Sequence, residues 1–197
     1  MPVAPLAVLR KEAAACTRCA LYRHATQTVF GEGPPDAELV FVGEQPGDQE
    51  DLAGKPFVGP AGKVLDRALK DAGIERTKVY VTNAVKHFKF EPRGKRRIHS
   101  KPNASEIQAC KWWMEREFET IKPTFVVALG ATAAQALSGR AVTISRFRGR
   151  ETELLGVRGL ITVHPSYLLR LPDERAKKAE YGKFVADLKL AKKLAAR

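Results

Sequence analysis

Cysteine is scarce in this chain, which has only three among 197 residues. So few cysteines argue against a disulfide framework and leave metal binding open. Long apolar runs are also lacking: none approaches the length of a membrane span, and residues 1–10 show no signal-peptide pattern. We therefore expect a cytoplasmic protein that does not associate with a membrane.

Acidic residues are in deficit, with 22 against 34 lysines and arginines, so that the formal net charge is +12. Such a charge favours a polyanionic partner, but it does not distinguish DNA, RNA and membrane surfaces. The apolar fraction of 44% is ordinary for a globular protein. The chain length predicts one domain, and we assign it residues 1–197.

Apolar segments and helical periodicity alternate along the chain. Short apolar segments predict strands, and residues spaced for one helix face predict helices. The predicted strands are 39–42, 79–85, 125–129 and 160–163, and the predicted helices are 6–15, 59–72, 105–121 with Ser105 as N-cap, 132–137 and 173–196. This alternation predicts a single α/β domain with a central four-stranded parallel sheet and helices on both faces. Segments 43–48, 83 and 164 should then meet at one sheet edge.

The stretch from residue 40 to residue 62 holds five glycines and three prolines, and it follows a predicted strand. Such a loop can be stiff without regular structure, and ligands bind at the carboxyl ends of strands in open α/β sheets. A phosphate-binding P-loop is excluded because Val64 stands where GxxxxGK[ST] requires Ser or Thr. From composition alone, such a loop is more often an ordinary turn than a binding site.

The order of residues in this loop is more informative than its composition. It reads Gly-Glu-Gln-Pro-Gly-Asp from Gly43 and, after five further residues, Gly-Lys-Pro-Phe-Val-Gly-Pro-Ala-Gly from Gly54 to Gly62. This string resembles the first motif of the family 4 uracil-DNA glycosylases, and the His-Pro-Ser sequence at 164–166 resembles a second. Gln45, where family 4 has Ala, is similar to the UdgX branch, whose members cross-link themselves to uracil-containing DNA. The resemblance spans Cys16 to about Arg170.

The cysteines alone leave several interpretations open. Cys16 and Cys19 have the spacing of a redox pair or half a zinc site, and Cys110 lies on an apolar helix stripe as a core residue would. The family resemblance implies a [4Fe–4S] cluster on Cys16, Cys19, Cys110 and, where family 4 has a third cysteine, His87. Histidine ligates iron in Rieske centres. The alternative for His87 is an ordinary surface histidine beside basic residues.

A basic loop is predicted over residues 86–104. Residues 86–101 of this loop include seven lysines and arginines and one glutamate. Their net charge of +6 is half of the net charge of the chain, +12. Such a run is typically solvated or contacts phosphates, and the neighbouring Phe88 and Phe90 can stack on bases. The sequence Lys-Arg-Arg-Ile-His-Ser ending at Ser100 resembles the loop that distinguishes UdgX, which implies His99 as nucleophile. Without the resemblance, His99 reads as a phosphate neighbour.

The resemblance also implies roles for the remaining motif residues. Asn83 is expected to read the uracil edge, Phe57 to stack on the ring, and His164 to donate to a uracil oxygen as negative charge builds. Glu44 is expected to stabilise the developing sugar cation. Gln45 and Asp48 should hold the loop and Arg97 near the site, and Gly43 and Ser166 complete the substrate-binding set.

The expected activity is excision of uracil from DNA, with cross-linking of His99 to C1′ of the abasic sugar. Expected partners are uracil-containing DNA, single-stranded and in principle duplex, and uracil as product, with the protein acting as a monomer. Two alternatives stay open: an ordinary hydrolytic family 4 enzyme with turnover, and an iron–sulfur nucleic-acid binder without catalysis.

Overall fold

The computed structural model describes residues 4–197, so the first three residues of the predicted domain lie outside it. Its strands are β1 (Leu39–Gly43), β2 (Tyr80–Asn83), β3 (Phe90–Arg93), β4 (Arg96–His99), β5 (Phe125–Leu129), β6 (Glu151–Leu154) and β7 (Val157–Thr162). Its helices are α1 (Leu6–Ala13), α2 (Asp48–Ala53), α3 (Pro60–Asp71), α4 (Ala104–Ile121), α5 (Ala131–Ser138), α6 (Ile144–Phe147), α7 (Pro165–Arg170) and α8 (Glu174–Ala195). Short 3₁₀ turns occupy Ala20–Arg23 and Arg76–Lys78.

The central sheet has the strand order β2-β1-β5-β7-β6. Pairing is parallel throughout except between β6 and β7. The α/β class and the parallel arrangement of the four predicted strands are thus confirmed, and the sheet gains a fifth, antiparallel strand. In the described part of the chain, no helix is long and apolar enough to cross a membrane.

The two faces of the sheet pack against separate sets of helices. Side chains of a strand alternate between faces, and in β1 Val40 and Val42 join one core cluster while Leu39 and Phe41 join the other. The first cluster includes residues of α4 and α5, and the second includes residues of α3, α7 and α8. The strands are apolar almost throughout because both faces are buried.

Several predicted boundaries and segments differ in the structure. Helix α4 begins earlier than expected, because Asn103, not Ser105, caps it: its side-chain oxygen accepts a hydrogen bond of 2.9 Å from the Glu106 N–H. The predicted irregular loop after β1 contains the helix α2. The fifth strand β6 was missed because only Leu154 of its four residues is buried, so it lacks an apolar pattern.

The predicted basic loop is largely a β-hairpin. Strands β3 and β4 pair antiparallel, and Phe90 lies opposite His99. Gly94 in the connection has φ of 57°, a conformation that glycine adopts without strain. Most side chains of the hairpin are exposed and polar, which explains the absence of a strand pattern in the sequence. The hairpin forms its own two-stranded sheet, separate from the central one.

Candidate active site and cluster site

The carboxyl ends of the parallel strands place the motif residues along one cleft. This cleft has a volume of about 1360 Å³, and Glu44, Phe57, Asn83 and His164 line it. His99 reaches the same cleft from the hairpin. The structure therefore brings together residues from five segments of the chain. The strand-end argument predicts this for three of them, those of Glu44, Asn83 and His164.

Gly43, the last residue of β1, lies opposite Asn83 in the sheet register. A Cβ atom at Gly43 would collide with Oδ1 of Asn83 and lie 2.6 Å from Cζ of Phe57. The absence of a side chain there lets the amide and the ring approach the strand end together. Asn83 is 3% exposed, so its amide faces the cleft from a buried position.

Phe57 has a left-handed backbone, with φ of 56°. This conformation is rare for a bulky residue and persists only where surrounding packing enforces it. A Cβ atom at Gly62 would collide with the Phe57 carbonyl, so the chain packs tightly beneath this residue. The ring lies 6.3 Å from the His164 ring, with an angle of 28° between the planes.

Glu44 is hydrogen-bonded from two sides. Its Oε1 lies 3.0 Å from Nε2 of His99, and its Oε2 accepts a hydrogen bond from the Thr132 hydroxyl. Burial acts to raise the pKa of the Glu44 carboxyl group, but the hydrogen bonds from His99 and Thr132 outweigh it, and the pKa lies below its ordinary value. A carboxylate therefore faces the cleft at neutral pH.

His164 follows β7 and caps α7. Its Nδ1 accepts a hydrogen bond of 3.1 Å from the backbone N–H of Ser166 and lies 2.8 Å from the Ser166 hydroxyl. Desolvation, the main cause, lowers the pKa of His164 to about 4. The ring is thus neutral at pH 7, and because Nδ1 accepts, the proton resides on Nε2. His164 can therefore donate one hydrogen bond without carrying a charge.

The Gln45 side chain fastens the base of the hairpin. Its Nε2 donates to the carbonyls of Lys89 and Ser100, both at 3.1 Å, and its Oε1 accepts from the Lys89 N–H at 3.1 Å. Lys89 and Ser100 flank the two hairpin strands and are themselves hydrogen-bonded, Ser100 N–H to Lys89 O at 2.9 Å. One buried amide therefore holds both ends of the hairpin against the loop after β1.

Arg97 fastens the middle of the hairpin. Its Nε donates to Asp48 Oδ1 and its Nη1 to Asp51 Oδ2, both at 2.6 Å. The guanidinium lies 5.4 and 5.1 Å from the ring centres of Phe88 and Phe90, within the range of cation–π attraction. The positive charge of Arg97 is thus directed into the protein, whereas the other basic side chains of β3 and β4 are exposed.

Three of the predicted cluster ligands, Cys19, His87 and Cys110, are neighbours, whereas Cys16 packs in a separate apolar cluster with Trp113. A hydrogen bond with Cys110, and next the nearby His87, lower the pKa of the Cys19 thiol to about 4. The hydrogen bond with Cys19 and burial raise the pKa of Cys110 well above its usual range. Cys16 accepts a hydrogen bond of 3.1 Å from the indole N–H of Trp113. These four side chains come from α4 and from two loops.

Two observations bear on metal binding there. Within residues 4–197, no group of three or more His, Cys, Asp and Glu side chains is placed so that it could hold a metal ion. The Nδ1 atom of His87, by contrast, is buried without a hydrogen-bond partner among the described residues, while its Nε2 lies 2.9 Å from the Thr28 hydroxyl. A buried nitrogen left unpaired beside thiols is suited to a metal ligand.

Comparison with known proteins identifies the family. The family model of the Uracil DNA glycosylase superfamily matches residues 30–189. The chain belongs to this superfamily. It is 43% identical over 157 residues to the type-4 uracil-DNA glycosylase of Thermotoga maritima, a match that covers 79% of the chain and 78% of the relative.

Two further relatives lie in the same superfamily. The type-4 uracil-DNA glycosylase of Archaeoglobus fulgidus is 38% identical over 173 residues, which cover 84% of the chain and 83% of the relative. The type-5 uracil-DNA glycosylase of Pyrobaculum aerophilum is 36% identical over 101 residues, 50% of the chain and 41% of the relative. The predicted membership of the uracil-DNA glycosylase superfamily is therefore confirmed, while membership of the UdgX branch stays a prediction.

Sequence reasoning assigned no role to some residues of this site. Thr132 binds Glu44, Asp51 binds Arg97, and Thr28 binds His87. Thr132 lies just beyond the end of β5, so its position at a strand end was a usable signal. Nothing in the sequence distinguishes Thr28 from other threonines, because its contact depends on how the chain folds before β1.

Proposed function

We propose that this superfamily member excises uracil from DNA and is then captured on the abasic sugar through His99. The finding that carries the proposal is the distance of 3.0 Å between His99 Nε2 and Glu44 Oε1 within the cleft. A potential nucleophile and a carboxylate suited to a cationic sugar thus lie beside the residues expected to hold uracil.

Recognition of the base rests on three side chains. A base must leave the duplex stack to reach such a cleft. The Asn83 amide offers one donor and one acceptor to the edge of uracil, and cytosine presents the reverse pattern. The Phe57 ring, which lies nearly parallel to His164, provides a stacking surface. The left-handed backbone of Phe57 and its packing support a fixed position for this surface.

Departure of the base needs stabilisation of negative charge. As the bond between C1′ and N1 breaks, both electrons leave with uracil, and C1′ becomes cation-like. The Nε2–H of neutral His164 donates a hydrogen bond to a uracil oxygen, an electrostatic role. The Glu44 carboxylate, whose pKa is lowered, stabilises the sugar from the other side.

Capture follows when a ring nitrogen of His99 gives its lone pair to C1′. The imidazole becomes a cation and keeps its remaining N–H, which pairs with Glu44 until the proton leaves to solvent. The product is an N-alkylated histidine, and neutral imidazole attached to carbon is a poor leaving group. Each protein molecule would therefore react only once, without turnover.

Hydrolysis with turnover is the second candidate. The relatives named type-4 uracil-DNA glycosylases favour it, and Glu44 is as well placed to orient a water as to stabilise a sugar cation. The Gln45 contacts that hold the His99 hairpin at the cleft favour capture. The two candidates share base recognition and differ only in what reaches C1′.

We also propose that Cys16, Cys19, His87 and Cys110 hold a [4Fe–4S] cluster. The three thiols and the buried, unpaired Nδ1 of His87 fit such a group. A cubane takes one protein ligand per iron, so its ligands need not surround a single ion. When bound, it would join the segment before the hairpin, through His87, to α4, through Cys110.

Denaturing gel electrophoresis with a uracil-containing single-stranded oligonucleotide tests the proposal. Capture predicts a slower band that resists heat and detergent, hydrolysis predicts an abasic product, and a non-catalytic binder predicts neither. An oligonucleotide with thymine in place of uracil is the control and should give no product. A thymine oligonucleotide that cross-links equally would contradict uracil recognition.

A further inference from the structure

Lys86 is completely buried, which is unusual for a lysine. Its ammonium group donates to Thr82 Oγ1 at 2.6 Å, to the Asn83 carbonyl at 2.8 Å and to Glu117 Oε2 at 2.6 Å. These three hydrogen bonds use all three donors of the ammonium group. The side chain folds back over the turn that begins at Asn83.

Glu117, the partner of Lys86 on α4, is also completely buried. Its Oε1 accepts from the Tyr80 hydroxyl at 2.8 Å, from the Thr82 hydroxyl at 3.0 Å and from the Gly31 N–H at 3.1 Å. Burial, and next the charge of Glu117, raise the pKa of Tyr80, which therefore stays a donor. The carboxylate thus ties α4 to two residues of β2.

Stability alone does not explain this pair. Removing two charges from water costs so much that an apolar pair of similar volume is often as stable or more stable. A buried ion pair does, however, enforce one arrangement, because every alternative leaves a charge unpaired. The arrangement enforced here is that of the segment from Thr82 to Lys86, which includes Asn83.

The position of Lys86 in the chain supports this interpretation. Its ammonium group holds the carbonyl of Asn83, and its backbone N–H donates to Cys110 Sγ at 3.4 Å. The next residue is His87. Lys86 therefore lies between the residue expected to read uracil and two of the expected cluster ligands.

We propose that Lys86 and Glu117 are positioning residues that fix the turn bearing Asn83 and thereby set the selectivity for uracil. This inference rests on the function proposed above. An amide distinguishes uracil from cytosine only if its donor and acceptor keep their places, and Asn83 is attached to a carbonyl that the buried ammonium group holds. Lys86 and Glu117 act on the base only through Asn83 and do not contact the base themselves.

The double variant Lys86→Met/Glu117→Gln tests the proposal. It removes both charges, keeps an oxygen beside Tyr80 and Thr82, and releases the Asn83 carbonyl. Three quantities are measured: the dissociation constant for free uracil by calorimetry, the single-turnover rate at saturating uracil-containing DNA, and the ratio of that rate to the rate on cytosine-containing DNA. The dissociation constant should rise and the rate on uracil should fall, each by on the order of 100-fold, as expected for displacement of a binding group by about 1 Å. The preference for uracil over cytosine should fall as well. Affinity for undamaged DNA should not change.

Matched variants separate positioning from a general loss of stability. Leu154→Ala removes a buried side chain from β6, at the opposite edge of the sheet from β2, and should leave uracil affinity intact at a comparable melting temperature. Asn83→Asp, which alters the amide itself, gives the benchmark for lost selectivity between uracil and cytosine. Lys86→Gln/Glu117→Gln, which replaces both charges by neutral polar groups, is the second variant if the first double variant does not fold, and it should weaken uracil affinity by a smaller factor.

The inference fails if the double variant, or Lys86→Gln/Glu117→Gln in its place, binds and processes uracil as the wild type does. It also fails if Leu154→Ala produces the same loss at the same melting temperature. A wild-type protein that neither binds nor releases uracil would overturn the proposed function and this inference together. Wild-type activity with an unaffected double variant would overturn this inference alone.

Discussion

His99 Nε2 lies 3.0 Å from Glu44 Oε1, although His99 belongs to the hairpin sheet and Glu44 is carried by the central sheet, just beyond β1. Glu44 follows a buried strand of the central sheet, whereas His99 ends an exposed two-stranded hairpin. A lone hairpin is marginally stable in water. The contact therefore depends on the side chains that hold the hairpin against the loop after β1.

Replacing His99 by Ser should abolish the covalent adduct and leave uracil release intact. Asn83, Phe57 and His164 contact the base side of the cleft, and none of them needs the imidazole. Water can enter the space beside C1′, where Glu44 remains to orient it. Denaturing gels should show an abasic product, and mass spectrometry of the digested wild-type adduct should find DNA on the peptide containing His99. DNA on any other peptide would contradict the mechanism.

Glu44→Gln should slow capture by roughly 100-fold, the usual effect of removing one electrostatic stabiliser of a transition state. Gln keeps the shape and the hydrogen bond from Thr132, so the change isolates the negative charge. Single-turnover kinetics on uracil-containing DNA measure the rate. Thr132→Val, which removes the hydrogen bond but keeps the carboxylate, is the control and should have the smaller effect. Equal rates for Glu44→Gln and the wild type would exclude a role for the charge.

His164 should make the protein less stable in acid. The pKa of histidine is about 6.5 in the unfolded chain but about 4 in the folded state. Between these values the unfolded chain binds the additional proton, so this contribution to stability is complete above about pH 6.5 and is lost as the pH falls towards 4.

From about pH 7.5 to about pH 5, the free energy of unfolding of the wild type should therefore fall by about 2 kcal/mol more than that of His164→Asn. Urea denaturation at the two pH values measures it. Parallel losses in the two proteins would show that His164 titrates normally in the folded state.

The sequence predicts the central sheet well because its strands are buried on both faces. Val40 to Val42 and Val126 to Leu129 are apolar without interruption and buried, so no tertiary information is needed to recognise them. The predicted alignment of Glu44, Asn83 and His164 at one edge follows from parallel pairing alone, and the cleft contains all three.

The hairpin and β6 could not be predicted in the same way. Their side chains are mostly exposed, so burial leaves no period in the sequence. Leu155, with φ of 54°, takes a turn position for which leucine gives no signal. The contact of Thr132 with Glu44 likewise depends on the distance between strand ends, which the sheet order determines and the local sequence does not.

Cluster binding can be tested by composition. The purified protein should be brown, with broad visible absorption and about four irons per chain. His87→Cys should retain the iron, since a thiolate replaces the imidazole, whereas Cys110→Ala should lose most of it. Iron and sulfide analysis measure both. A colourless protein containing one zinc would exclude the cluster.

Gln45→Ala tests whether the hairpin must be held for capture. The substitution removes three hydrogen bonds to Lys89 and Ser100, and each buried group left unpaired costs about 1–3 kcal/mol. The hairpin should then leave the cleft for part of the time and take His99 with it.

Water would compete for C1′ during those intervals, so the abasic product should increase at the expense of the adduct while the total uracil released stays the same. The ratio of the two products after complete reaction measures this directly and needs no rate constant. Lys95→Ala, which removes an exposed charge from the hairpin turn, is the matched control: it should weaken DNA binding without changing the ratio. An unchanged ratio in Gln45→Ala would mean that the hairpin stays at the cleft without this amide.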